Sequence, residues 1–192
     1  LAGDMLLAEA FSLIGRAENP FVSTAWVKLL SGTVVELCDG QMIDLEAAGR
    51  GSLAQICKDY NMLSDREKLE LRHHKKTGAL IRASVCGPAF LLDEKRREAV
   101  LPGLRSFSLN LGLLFQVADD ILEATSSSEA LGKDNDSDAR HGTPTYVSVY
   151  GLARAKDLAK EIAQRACQAL EGVDAETSFL KWLCSYSLLR ER

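Results

Sequence analysis

The sequence holds no Cys-x-x-Cys pair, no excess of positive charge, no convincing alternating strand and no internal repeat. Each absence excludes something. The cysteines, Cys38, Cys57, Cys86, Cys167 and Cys184, are odd in number and widely scattered. That pattern suggests neither a zinc site nor a disulfide framework, and predicts buried thiols in a reducing, cytoplasmic setting. A net charge of −4 argues against nucleic acid, since duplex binders usually present a basic face. No apolar run is expected to reach the length that spans a bilayer, and no signal peptide is visible. The chain opens at Leu1 rather than Met and enters a helical pattern almost at once, so it reads as a piece of a longer protein.

What remains is the composition of a globular protein, 46% hydrophobic and 26% charged over 192 residues. That length suits one sizeable core and a single domain over residues 1–192. Apolar periodicity predicts helices over Leu1–Ile14, over Ala25–Leu45 and from the Ser64-Asp65-x-Glu67 capping box to Cys86, where Gly87-Pro88 interrupts. Pro102 is read as the first turn of a helix running to Ala124. Residues 125–150 are polar and read mostly as loop, and two amphipathic helices, Leu152–Leu170 and Ala175–Arg192, finish the chain. The predicted class is all-α, a packed helical bundle.

One of these helices carries an expensive feature. "LNLGLLFQVADDILEAT" is apolar enough for a core, yet Gln116, Asp119, Asp120 and Glu123 share one of its faces. A solvated stripe is the commoner use of such residues, but this sequence is too apolar for a freely exposed helix. Buried carboxylates need a partner, which could be water, a basic residue or a metal ion. The stripe contains no His or Cys, so the oxygen donors favour Mg²⁺ over zinc or copper.

"LRHHKKTGALIRA" supplies the opposite charge. His73, Lys76 and Thr77 fall on one helical face, and a lysine beside a hydroxyl can grip a phosphate. A solvated basic helix end would look the same. Two other patterns fail. Glu70 to His73 has the Glu-x-x-His spacing of carboxylate-bridged di-iron bundles, but those need two such motifs. "DNDSD", Asp134 to Asp138, begins like a calcium loop, but Ala139 stands where Gly is required and Thr145 where Glu is required. Lys133, in a loop after the acidic helix, could fold back over a bound phosphate.

Five segments in order resemble the trans-type polyprenyl diphosphate synthase family: "LAGDMLLAEAF", "GQMIDLEAAG", "HHKKTGALIRA", "GLLFQVADDILEAT" and "LGKDNDSDARHGTPTYVSVYGL". The resemblance covers nearly all of the chain and implies the C-terminal portion of an isoprenoid-synthase-type helical bundle around a central cavity. It implies that Asp119 and Asp120, with Glu123 as a further candidate, ligate Mg²⁺, three ions per site in the complete enzyme. It further implies that Lys76, Thr77, Gln116 and Lys133 hold the substrate diphosphate. The implied reaction condenses isopentenyl diphosphate with an allylic diphosphate, dimethylallyl or geranyl, to farnesyl diphosphate. A geranylgeranyl diphosphate synthase, or a non-catalytic subunit that redirects an active partner, is the alternative, and a homodimer is expected. Glu123 stands where the motif usually has its third Asp, and Thr143 where many members have Lys. The family's first Asp-rich motif would precede Leu1, so residues 1–192 alone are expected to be inactive.

Overall fold

The computed structural model describes residues 1–50, 60–129 and 144–190, and no strand occurs among them. Helix α1 spans Ala2–Gly15, α2 Pro20–Ala47, α3 Asp65–His73 and α4 Ala79–Cys86. Helix α5 spans Glu94–Glu129, α6 Tyr146–Tyr150, α7 Leu152–Ala169 and α8 Ser178–Leu189. Short 3₁₀ turns cover Tyr60–Met62 and Gly87–Leu91, and a π turn over His74–Gly78 joins α3 to α4. The all-α expectation holds.

The core forms where α5 lies along α7. Phe107, Leu111, Leu114 and Val117 make a buried stripe on α5, spaced by three and four residues. They meet Ala155, Ala159, Ile162, Ala163 and Ala166 of α7, whose small side chains let the two axes approach. Helix α3 starts as the sequence predicts. The Ser64 hydroxyl accepts from the Glu67 N–H, and the Glu67 carboxylate accepts from the Ser64 N–H at 2.8 Å.

Pro102 lies inside α5 rather than in its first turn. The helix begins eight residues earlier, where the Asp93 side chain accepts from the Arg96 N–H at 3.0 Å and caps it. An interior proline costs roughly 3 kcal/mol. Burial of Val100 on one side and Phe107 on the other keeps the turns helical through it. The helix also outruns its predicted end at Ala124, because the Thr125 hydroxyl bonds back to the Ile121 carbonyl at 2.9 Å instead of breaking the chain. Short helix α6 further interrupts the expected loop, capped by reciprocal Thr145 and Ser148 bonds of 2.9 and 3.0 Å.

Helix α2 corrects another expectation. Its most apolar window has a mean hydropathy of 1.3, so by length and composition it is long and apolar enough to cross a membrane. Its charged residues nevertheless tie it to the rest of the bundle. Glu36 pairs with Arg82 at 2.6 Å, Asp39 with Lys75 at 2.6 Å and Asp44 with Lys76 at 2.5 Å. Between these pairs Gly40 lies so close to the backbone of Lys75 and Lys76 that no Cβ fits. On the other side of the π turn, Gly112 of α5 lies against Gly78, where a Cβ would stand a tight 3.0 Å from the Gly78 Cα. The turn is thus clamped between α2 and α5 by glycines that allow backbone contact.

The cysteines match only in part. Cys86 and Cys184 are buried and Cys167 half-buried, but Cys38 is exposed, while Cys57 lies outside the described residues. Burial, with the neighbouring Cys167 second, pushes the Cys184 thiol up to about 12, so it is inert near neutral pH.

Candidate active site

A cavity of about 350 Å³ opens where α2, the end of α3, the π turn and α5 converge. From α2 it receives Gln41 and Asp44, from α3 Arg72 and His73, and from the π turn Lys76. Helix α5 contributes Gln116, Asp119, Asp120 and Glu123, the whole predicted stripe. Thr145, the cap of α6, closes one side. Carboxylates and cations thus line one small volume, although their segments are far apart in sequence.

Each α5 carboxylate has a defined environment. Asp119 pairs with the Arg190 guanidinium and also accepts from the Gln116 amide at 3.2 Å. Burial raises its carboxyl above the usual range, with Arg190 opposing. Asp120 accepts the Tyr146 backbone N–H, the first of α6, at 2.6 Å. Burial dominates there too, and it pushes the Asp120 carboxyl up to about 6 against that bond. On the facing wall Arg72, only 5% exposed, donates to the Pro144 carbonyl at 2.6 Å and stands 3.7 Å from Asp44. The His73 ring, buried beside Arg72, is held well below its usual range at about 4 by desolvation and then by that guanidinium.

Of the residues expected to act on a substrate, the structure brings Lys76, Gln116, Asp119, Asp120 and Glu123 together. Thr77 is not among the lining residues. The segment His74–Gly78 is a π turn, so the α-helical spacing that placed His73, Lys76 and Thr77 on one face does not hold there. Lys133 and Thr143 lie outside the described residues. Sequence reasoning assigned no role to Gln41, Asp44, Arg72 or Arg190. Gln41 and Asp44 carried a usable signal, being three apart on one face of α2. Arg190 carried none, since its contact with Asp119 spans 71 positions.

The donor chemistry suits a hard divalent cation, because the acidic wall offers carboxylate oxygens alone. Among the described residues no group of three or more ligating side chains converges. Asp119, Asp120 and Glu123 thus have the donor type for a hard cation but do not form a closed cage.

The polyprenyl synthetase family model matches residues 1–179. The chain belongs to this family. It is 34% identical over 201 residues to farnesyl diphosphate synthase of Escherichia coli (strain K12), spanning 100% of this chain and 63% of that protein. It is 41% identical over 177 residues to a chloroplastic geranylgeranyl pyrophosphate synthase of Capsicum annuum, spanning 91% of this chain and 45% of that protein. A crystal structure from Marinomonas sp. MED121, assigned as a farnesyl-diphosphate synthase, superposes with a TM-score of 0.63 at 27% identity. That superposition covers 97% of this chain and 61% of the other. The chain thus spans between about half and three-fifths of the length of these relatives. Polyprenyl synthetases are the all-α neighbours that this bundle matches, which agrees with the family resemblance of the ordered motifs.

Proposed function

We propose that the natural protein carrying this sequence is a short-chain prenyltransferase that joins isopentenyl diphosphate to an allylic diphosphate, with farnesyl diphosphate as product. The observation that carries this reading is the cavity itself, in which the α5 carboxylates face Lys76 and Arg72 across a volume suited to a metal-complexed diphosphate. The similarity to farnesyl and geranylgeranyl diphosphate synthases supports the substrate class. Geranylgeranyl diphosphate is the alternative product, favoured by the 41% identity to the Capsicum annuum relative.

In the reaction the allylic carbon–oxygen bond breaks and the diphosphate leaves with the electron pair. The double bond of isopentenyl diphosphate attacks the carbocation, and the departing diphosphate takes the proton that is then lost. Lys76 would donate to a diphosphate oxygen, and Gln116 would donate an amide N–H beside it. Thr77 and Lys133 remain proposed contacts through the family motifs. Mg²⁺, when bound, supplies positive charge that neutralises the leaving group, and Asp119, Asp120 and Glu123 would hold it. The cations do the same electrostatic work on their side: a unit charge pair at 4 Å is worth roughly 4 kcal/mol at an effective dielectric of 20.

A homodimer is proposed as well. Met5, Leu6, Leu13, Phe21, Val27 and Val35 of α1 and α2 are exposed, and an apolar groove between these helices is lined by Leu13, Ile14, Val22, Trp26 and Leu30. A second copy would cover that face.

The test uses the natural protein with labelled isopentenyl diphosphate and dimethylallyl diphosphate, with and without Mg²⁺, followed by sizing of the products. The expected result is a Mg²⁺-dependent fifteen-carbon diphosphate, counted as three five-carbon units. A twenty-carbon product selects the alternative, and folded protein that forms no product overturns the reading.

A further inference from the structure

We infer that His73 is a positioning residue, whose Nδ1–H fixes the Gln116 amide so that its NH₂ group faces Asp119 and the substrate cavity. This deepens the prenyltransferase reading and rests on it.

Three contacts in series carry the inference. The Gln116 amide lies 3.2 Å from an Asp119 oxygen, and a carboxylate can only accept, so the amide nitrogen must face Asp119. The amide oxygen then points the other way, where His73 Nδ1 stands 2.7 Å from it. A carbonyl oxygen can only accept, so Nδ1 must carry the proton. From the opposite side Arg72 approaches His73 Nε2 at 3.4 Å, and a guanidinium can only donate, so Nε2 must be the bare nitrogen. Both ends select the same neutral tautomer without reference to each other.

The ring is also held in place. His73 is 5% exposed and stacks on Tyr146 with centroids 5.5 Å apart. Tyr146 is the residue whose backbone N–H binds Asp120. His73 therefore links both aspartates of the acidic wall, one through the Gln116 amide and the other through α6. An amide nitrogen has two hydrogens. Asp119 takes one, and the second is left to bind a diphosphate oxygen. Without the His73 bond only the 3.2 Å contact with Asp119 holds the amide, and a turned-over amide presents its oxygen to an anion, which repels it.

The experiment compares the natural protein with His73→Leu and His73→Asn, measuring KM for the allylic diphosphate, kcat and thermal melting. Leu removes the donor, whereas an Asn side-chain N–H falls near the place of Nδ1. A contact made equally in ground and transition states changes KM and leaves kcat. His73→Leu is expected to raise KM about tenfold with kcat within about threefold, the size of one hydrogen bond to a charged group. His73→Asn is expected to recover most of that loss. In a Gln116→Leu background, His73→Leu should add nothing further to KM. Equal impairment by Leu and Asn, an undiminished effect in the Gln116→Leu background, or no effect at all would overturn the inference while leaving the prenyltransferase reading intact. A natural protein without prenyl transfer would remove both.

Discussion

Asp120→Asn is expected to lower kcat of the natural protein about a thousandfold and, at the same time, to raise the melting temperature of the unliganded fold. The first effect follows from charge. One carboxylate facing a cation at about 4 Å contributes roughly 4 kcal/mol at an effective dielectric of 20, which is about three decades of rate. The second follows from burial, which pushes the Asp120 carboxyl up from 3.8 to about 6. A group raised in the folded state stabilises below its unfolded value and loses that contribution as the pH rises through its folded one. At pH 7 wild-type Asp120 is therefore a net cost. The full shift corresponds to about 3 kcal/mol, and partial solvent access reduces it to about 1–2. Asn removes that cost and can still accept the Tyr146 N–H, so the melting temperature at pH 7 should rise by about 2–6 °C.

The same pair of groups gives a pH signature. His73 is shifted in the opposite sense, from 6.5 down to about 4, so its contribution is present above about 6.5 and lost as the pH falls toward 4. In the wild type, acidification relieves Asp120 while it favours the unfolded state, in which His73 takes up a proton, and the two changes oppose each other. Asp120→Asn lacks that relief and keeps the His73 loss. Its melting temperature should then fall steadily between pH 6.5 and 4, where the wild type stays comparatively flat. Calorimetry over that range checks the sign directly, and parallel curves for the two proteins would contradict it.

Lys76→Met is expected to lower kcat/KM for the allylic diphosphate by about a hundredfold, with little change in stability. Lys76 donates to Asp44 at 2.5 Å, but its side chain is 38% exposed, so the pair contributes at most about 1 kcal/mol to folding. A diphosphate entering the cavity would compete with Asp44 for the ammonium. Half of the roughly 4 kcal/mol of a close ion pair survives that competition, which is between one and two decades and approaches the upper figure if Asp44 turns away. Lys76→Arg should recover only part of the loss. The π turn aims a compact ammonium, and a longer planar guanidinium cannot occupy the same point. Steady-state kinetics and a melt on the same preparations measure both halves, and unchanged kcat/KM in Lys76→Met would remove Lys76 from the site.

These effects were unequally visible in the sequence. The acidic stripe was legible because α5 is a regular helix there, so the spacing of Gln116, Asp119, Asp120 and Glu123 converts directly into one face. The Ser64–Glu67 cap was legible for a similar reason, being wholly local. Pro102 misled because the rule that places proline in a first turn is a local preference, and burial of Val100 and Phe107 overrode it. The π turn left no pattern of its own. Its backbone packs closely against Gly40 and Gly112, which lie 36 positions before Lys76 and 34 after Gly78. The absence of Thr77 from the cavity lining could therefore not be read from α-helical periodicity. Arg190 was invisible for the same reason on a larger scale. It leaves α8 in an extended conformation, crosses the Phe115 ring at 4.1 Å and returns to Asp119.

The central claim is that the cavity binds a diphosphate through a divalent cation held by the α5 aspartates. Calorimetric titration of the natural protein with inorganic pyrophosphate, with and without Mg²⁺, and again for the Asp119→Asn/Asp120→Asn variant, tests it most directly. Binding that requires Mg²⁺ and disappears in the double variant is the result predicted here. Equal affinity without Mg²⁺, or binding that survives both substitutions, would contradict it.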